Sequence, residues 1–128
     1  MVRAQYHFRR SPEGLRAWDV RRLIEQTRGL QMIEVPLTEI RELDEPYWHS
    51  ENGGAMTCRD VVDHARLIQE CDLGHPVILS SDGRVMDGMH RICKALLEGR
   101  DFVTAVRFVD DPPPDYVVAR PEDLPYEG

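Results

Sequence analysis

Between Pro76 and Phe108 the spacing of apolar residues changes twice, and that change constrains the fold more than any other feature of the chain. Pro76–Ser80 (PVILS) is an uncharged apolar run of strand length. Ser81-Asp82-Gly83 has turn chemistry, and Arg84-Val85-Met86 returns as the partner strand of a hairpin. Ile92, Ala95 and Leu96 then recur at helical spacing, and Gly99 closes that helix. Phe102–Phe108 (FVTAVRF) alternates again and reads as a final core strand. Strand, turn, strand, helix and strand in this order require a sheet with a helix on its face, which excludes a helical bundle.

The segments before it extend the same plan. Met32–Leu37 alternates as a half-buried strand, with Pro36 marking an edge or strand end. Thr57 and Asp60 form a T-x-x-D capping pattern. Val61, Val62, Ala65, Leu67 and Ile68 follow as the apolar stripe of a helix over 58–73 that Gly74 ends. The expected fold class is α/β (α+β): one small mixed sheet with packed helices over 31–108. Residues 1–30 are expected to be an N-terminal helical extension. Gln5–Arg10 reads as a short edge strand. Ser11-Pro12-Glu13 reads as a helix start, with Leu15, Trp18, Val20, Leu23 and Ile24 as its stripe and Gly29 as its stop. Residues 109–128 form a Pro-rich acidic tail, expected to be extended and to pack through Tyr116, Val117, Leu124 and Tyr126.

Charge narrows the class of partner. The chain of 128 residues has a net charge of −7. Residues 1–30 carry seven Arg against three acids, whereas 31–108 carry eight bases against fourteen acids and 109–128 one against six. A chain this acidic repels a nucleic-acid backbone, whereas one focused site can still hold a small anion. No apolar run approaches the ~20 residues of a membrane span. Met1–Arg10 lacks the apolar stretch of a secretory signal. Cys58, Cys71 and Cys93 are odd in number and form no C-x-x-C pair, which points to a reducing cytoplasm rather than a disulfide framework or a zinc cluster.

The sharpest chemical constellation is Asp87-Gly88-Met89-His90-Arg91, with Lys94 one turn later. It falls where a strand ends and a helix begins. Free backbone N–H groups and a positive dipole end make a helix N-terminus an anion site. Gly88 admits close approach to the backbone of Gly88 and Met89, His90 donates from a ring nitrogen, Arg91 offers a bidentate fork, and Lys94 adds charge. Asp87 is free to cap the helix, to hold a magnesium ion, or to orient His90 or Arg91. Upstream, Leu43–Met56 loses all periodicity and carries Tyr47, Trp48 and His49 before Gly53-Gly54. A loop of that length reads either as a lid whose aromatic rings stack on a ligand or as a surface loop pinned by two buried rings.

With these residues in view, Pro76–Phe108 resembles the core of the ParB/sulfiredoxin superfamily. Val35–Ile40 (VPLTEI) is similar to that domain's V-P-L-x-x-I opening. The resemblance spans roughly Ile33 to Phe108. It implies a small domain whose signature loop binds nucleotide phosphates (ATP, ADP or CTP), with magnesium accompanying the nucleotide. Asp87–Arg91 matches the D-G-x-H-R signature of the superfamily's free-serine kinases. Met89 stands where sulfiredoxins carry the cysteine of G-C-H-R, and His90 where partitioning ParB proteins carry the first Arg of G-E-R-R. Neither of those activities is therefore implied. The kinases also use an upstream acid as a base, and Glu39 and Glu42 lie in that region, so the resemblance gives His90, Asp87, Glu42 and Glu39 as catalytic candidates.

Two readings of function stand together. One is a small-molecule phosphotransferase or phosphohydrolase. The other is a non-catalytic nucleotide- or anion-binding module with a protein partner or a second copy of itself. A carboxylate and an open polar cleft beside Gly88 would favour the first, and a cleft filled by the tail the second. Weaker candidates are Asp60 with His64, one turn apart on one helix face, and Cys93 near the signature helix start. His7, His49 and His75 are isolated in sequence.

Overall fold

The computed structural model describes residues 5–48 and 54–126. Among these residues seven strands form two sheets, joined by three α-helices and short 3-10 turns, an α+β architecture. The larger sheet contains β3 (Ile33–Pro36), β4 (Val77–Leu79), β5 (Val85–Asp87) and β6 (Phe102–Arg107), in the spatial order β3-β6-β4-β5. β4 and β6 run parallel, and the other pairings are antiparallel, so the sheet is mixed. The connection between the parallel strands carries β5 and α3 (Met89–Leu97), which packs back on the sheet.

The alternation of each strand divides the core in two. Val77, Leu79, Val85, Val103 and Ala105 face Met89, Ile92 and Ala95 of α3, together with Leu37 and Ile40 of the 3-10 segment that follows β3. Ile78, Met86, Val106 and Phe108 face the opposite way, onto Trp18 and Leu23. Both faces of the central strands are thus covered, which is why PVILS carries no charge.

The N-terminal region departs from the helical expectation. β1 (Tyr6–Ser11) and β2 (Gly14–Asp19) form an antiparallel hairpin, and only α1 (Val20–Gln26) is helical. Ser11-Pro12-Glu13 is therefore the hairpin turn rather than a helix cap. Proline suits the second place of a turn as well as the first turn of a helix, and here the chain reverses at Gly14. Gly14 has φ +134°, and a Cβ there would lie 2.9 Å from the Val118 carbonyl oxygen. Leu15 and Ala17 are buried on either side of exposed Arg16, the period of a strand. Asp19 caps α1 by accepting from the Arg21 amide at 2.9 Å.

The tail is more ordered than an irregular packing segment. β7 (Tyr116–Val118) adds to β2 and makes a three-stranded sheet, order β1-β2-β7. Trp18 Nε1 donates to the Pro112 carbonyl at 2.9 Å, the Asp19 amide donates to Asp115 at 2.8 Å, and Leu124 is buried. Tyr6 donates its hydroxyl to the Pro125 carbonyl and meets Tyr116 and Tyr126 edge-on, while Val117 stays exposed.

Helix α2 (Cys58–Glu70) starts as expected, with the Thr57–Asp60 capping box fully formed. None of its thirteen residues is buried, so the expected apolar stripe does not pack on the sheet, and α2 leans on α3 instead. Among the described residues no helix is long and apolar enough to cross a membrane.

Candidate functional site at the start of α3

β5 ends at Asp87, and the chain enters α3 through Gly88. Gly88 is the N-cap residue, at φ 105° in the left-handed region, and no side chain caps the helix. The first-turn donors of α3 are therefore left without a side-chain acceptor. Asp87, one position too early to cap, takes the orienting role: its Oδ2 accepts from Arg91 Nη2 at 2.9 Å. The guanidinium lies across the bare face of Gly88. A Cβ on Gly88 would sit 2.8 Å from Arg91 Nη2 and 3.1 Å from Val77 Cγ2. Gly88→Ala is therefore expected to cost about 1–3 kcal/mol through backbone strain and to push Arg91 off Asp87. Thermal unfolding of the variant measures this.

A pocket of about 340 Å³ opens beside Asp87 and Arg91, floored by Ile24, Pro76 and Ile78 and flanked by Thr27 and His75. No described residue of the tail lines it. Among the described residues, no three His, Cys, Asp or Glu side chains gather as a metal site.

Lys94 does not join this loop. Its Nζ donates to the carbonyls of Gln69 (3.0 Å) and Cys71 (2.8 Å), where it satisfies the open end of α2. Its expected contribution to the charge at the loop is thus spent on another helix.

The two upstream acids part company. Glu39 is exposed and borders a separate depression with Glu34, Arg41 and Arg107. Glu42 is buried; its Oε2 accepts from the Val85 amide at 2.7 Å, fastening the 3-10 segment to β5. Its Oε1 is buried without a hydrogen-bond donor, 3.6 Å from Arg84 Nη1, which is held by Glu45. Tyr47 lines the same depression as Glu42, with His7, Arg9 and Arg10. Burial pushes its phenol up, and the charges of Glu42 and Asp87 add to that shift.

Trp48 and His90 do meet. The indole lies over His90 with ring centres 4.6 Å apart and planes 18° apart, and over His64 at 4.2 Å and 22°. Beneath it, His64 Nδ1 and His90 Nε2 are 2.9 Å apart. Asp60, one turn before His64 on α2, is engaged by Thr57, and His64 bonds to His90 instead. Position in sequence carried no signal for this contact; it arises where α2 crosses α3. Burial is the main cause of a lowered His90 pKa, with His64 and Arg91 adding to it. Cys93 is half-buried beside the core, and burial pushes its thiol up, away from the reactive thiolate. His49 and Gly53 lie outside the described residues.

The start of α3 thus offers amides without a side-chain cap and one guanidinium that covers Gly88 and is poised on a carboxylate, with the His90 imidazole one residue away under Trp48. This set can hold an anion and pass a proton to it or from it. No family model, curated protein or solved structure matches the chain.

Proposed function

We propose that the chain is a ParB/sulfiredoxin-like domain that binds the phosphates of a nucleotide at the start of α3, within the cytoplasm, with Arg91 as the principal binding side chain. The observation that carries this reading is the Arg91 guanidinium folded over Gly88 onto Asp87, at an uncapped helix start beside an open pocket. A phosphate can take over the place of the Asp87 carboxylate, since both accept from the guanidinium fork. The apolar floor of Ile24, Pro76 and Ile78 suits the flat, weakly polar part of a nucleoside. The nearby Asp87 carboxylate favours phosphoryl transfer or hydrolysis on a small molecule, with His90 as the proton carrier; the cleft is open but mostly apolar and meets that expectation only in part. A second reading, binding without turnover, is favoured by one observation: Glu42, the upstream acid nearer β5, is fastened to the Val85 amide.

Calorimetry with ADP, ATP and CTP, with and without magnesium, tests the proposal. Charge-assisted bonds contribute roughly 1.5–3 kcal/mol each, so Arg91→Ala is expected to weaken binding about 10- to 100-fold while the fold persists. Asp87→Asn removes the competing carboxylate and is expected to strengthen binding. Unchanged affinity in a folded Arg91→Ala protein would contradict the site. Phosphate release that His90→Ala abolishes would favour the enzyme; tight binding without release would favour the binding module.

A further inference from the structure

The imidazoles of His64 and His90 are not stacked on each other. Their centres are 5.1 Å apart and their planes 24° apart, with two ring nitrogens at 2.9 Å. Rings piled face to face keep their atoms about 3.5 Å apart or more, so these two lie side by side and share one N–H···N bond. The three centre-to-centre distances put the indole of Trp48 roughly 3.6 Å above the middle of that pair, in ordinary stacking contact with both rings.

We infer that His64 and His90 act as one proton-sharing pair clamped under Trp48, and that the pair takes up one proton when an anion binds at the start of α3. His64 is then a positioning residue that works through His90. The coupling to an anion rests on the phosphate-binding reading; the shared proton does not.

The chemistry of the pair supports a single uptake. In the neutral pair one ring donates the central N–H, and that ring's outer nitrogen is bare. One added proton makes an imidazolium–imidazole pair that keeps the central bond and turns both outer nitrogens into donors. A second proton would set two N–H groups against each other and break the bond. The outer nitrogen of His90 therefore carries an N–H in the singly charged pair, whichever ring held the proton first.

The surrounding charges set the sign. Arg91 on α3 opposes charge on the pair, and Asp60, one turn before His64 on α2, favours it. Trp48 and Tyr47 bring no charge from the segment above, Asp87 of β5 is tied to Arg91, and the Lys94 ammonium is held by carbonyls of 69 and 71. An anion on Arg91 cancels the opposing charge, so proton and anion bind together.

Imidazole nitrogen NMR on the ligand-free protein tests the pair. The expected result is a coupling across the bond between His64 Nδ1 and His90 Nε2, and one protonation step that moves both rings. Two independent, ordinary titrations would overturn it. Calorimetry with sulfate, whose own charge is constant over this range, tests the coupling in two buffers of different ionisation heat. Wild type is expected to take up close to one proton per sulfate above the pair's midpoint, with affinity falling up to about tenfold per pH unit. His64→Phe, which keeps the stack, is expected to lose at least half of that uptake. His64→Asn, which keeps a partner for His90, is expected to bind at high pH like wild type with a shallower pH dependence. Wild-type uptake in both variants would overturn the role of His64. A coupled NMR titration with no sulfate binding at any pH would overturn the phosphate-binding reading and the coupling together.

Discussion

Glu42→Ala is expected to destabilise the protein by about 2–4 kcal/mol, because it strips the Val85 amide of its side-chain acceptor in a buried place and leaves a cavity. It also removes one of the two carboxylates beside Arg84, leaving Glu45 to hold that guanidinium. Glu42→Gln keeps the acceptor for Val85 but buries an amide N–H beside the Arg84 guanidinium, where no acceptor lies, so its cost is expected to be about 1–2 kcal/mol, below that of Glu42→Ala. Chemical denaturation of both variants measures the difference. A Glu42→Gln protein that keeps its fold and its nucleotide binding but loses turnover would assign Glu42 to the chemistry as well as to the framework.

A comparable effect is expected from pH through His7. Its imidazole is half-buried against Trp18, with ring centres 5.7 Å apart, and its Nε2 accepts from Arg9 Nε at 3.1 Å. Burial first, and the charge of Arg9 second, push its pKa down from 6.5 to about 4. In the unfolded chain the ring takes its proton at about 6.5. Above that pH both states hold the neutral ring and the stability is complete. As pH falls below 6.5 the unfolded chain gains a proton that the fold refuses, so stability declines until about pH 4, by roughly 3 kcal/mol from this group. His7→Gln keeps an acceptor for Arg9 and does not titrate, so its unfolding free energy is expected to be flatter between pH 6.5 and 4. A wild-type slope in that variant would remove His7 as the cause.

The part of the fold that local pattern dictates was legible. PVILS, the S-D-G turn and FVTAVRF could only be strands of one sheet, and the capping box at Thr57 set the start of α2. The hairpin β1–β2 was not, because Ser-Pro-Glu satisfies a helix start and a turn alike, and what decides between them is β7 arriving from residues 116–118. Lys94 illustrates the same limit at the site. Helical spacing put it near Arg91, but the open carbonyls at the end of α2 compete for its ammonium, and their position is a tertiary fact. The Asp87–Arg91 pairing was within reach of sequence as an i, i+4 pair; the His64–His90 bond, 26 residues apart, was not.

The central claim is that an anion binds at the uncapped start of α3, and amide NMR on the full chain with ADP tests it most directly. The expected result is that the largest shifts fall on the backbone amides of Met89, His90 and Arg91 and on Arg91 Nε, in proportion to occupancy, and that Arg91→Ala suppresses them. Shifts confined to Arg9, Arg10 and Arg84 around the Glu42 depression, or no shift at saturating ADP, would contradict it.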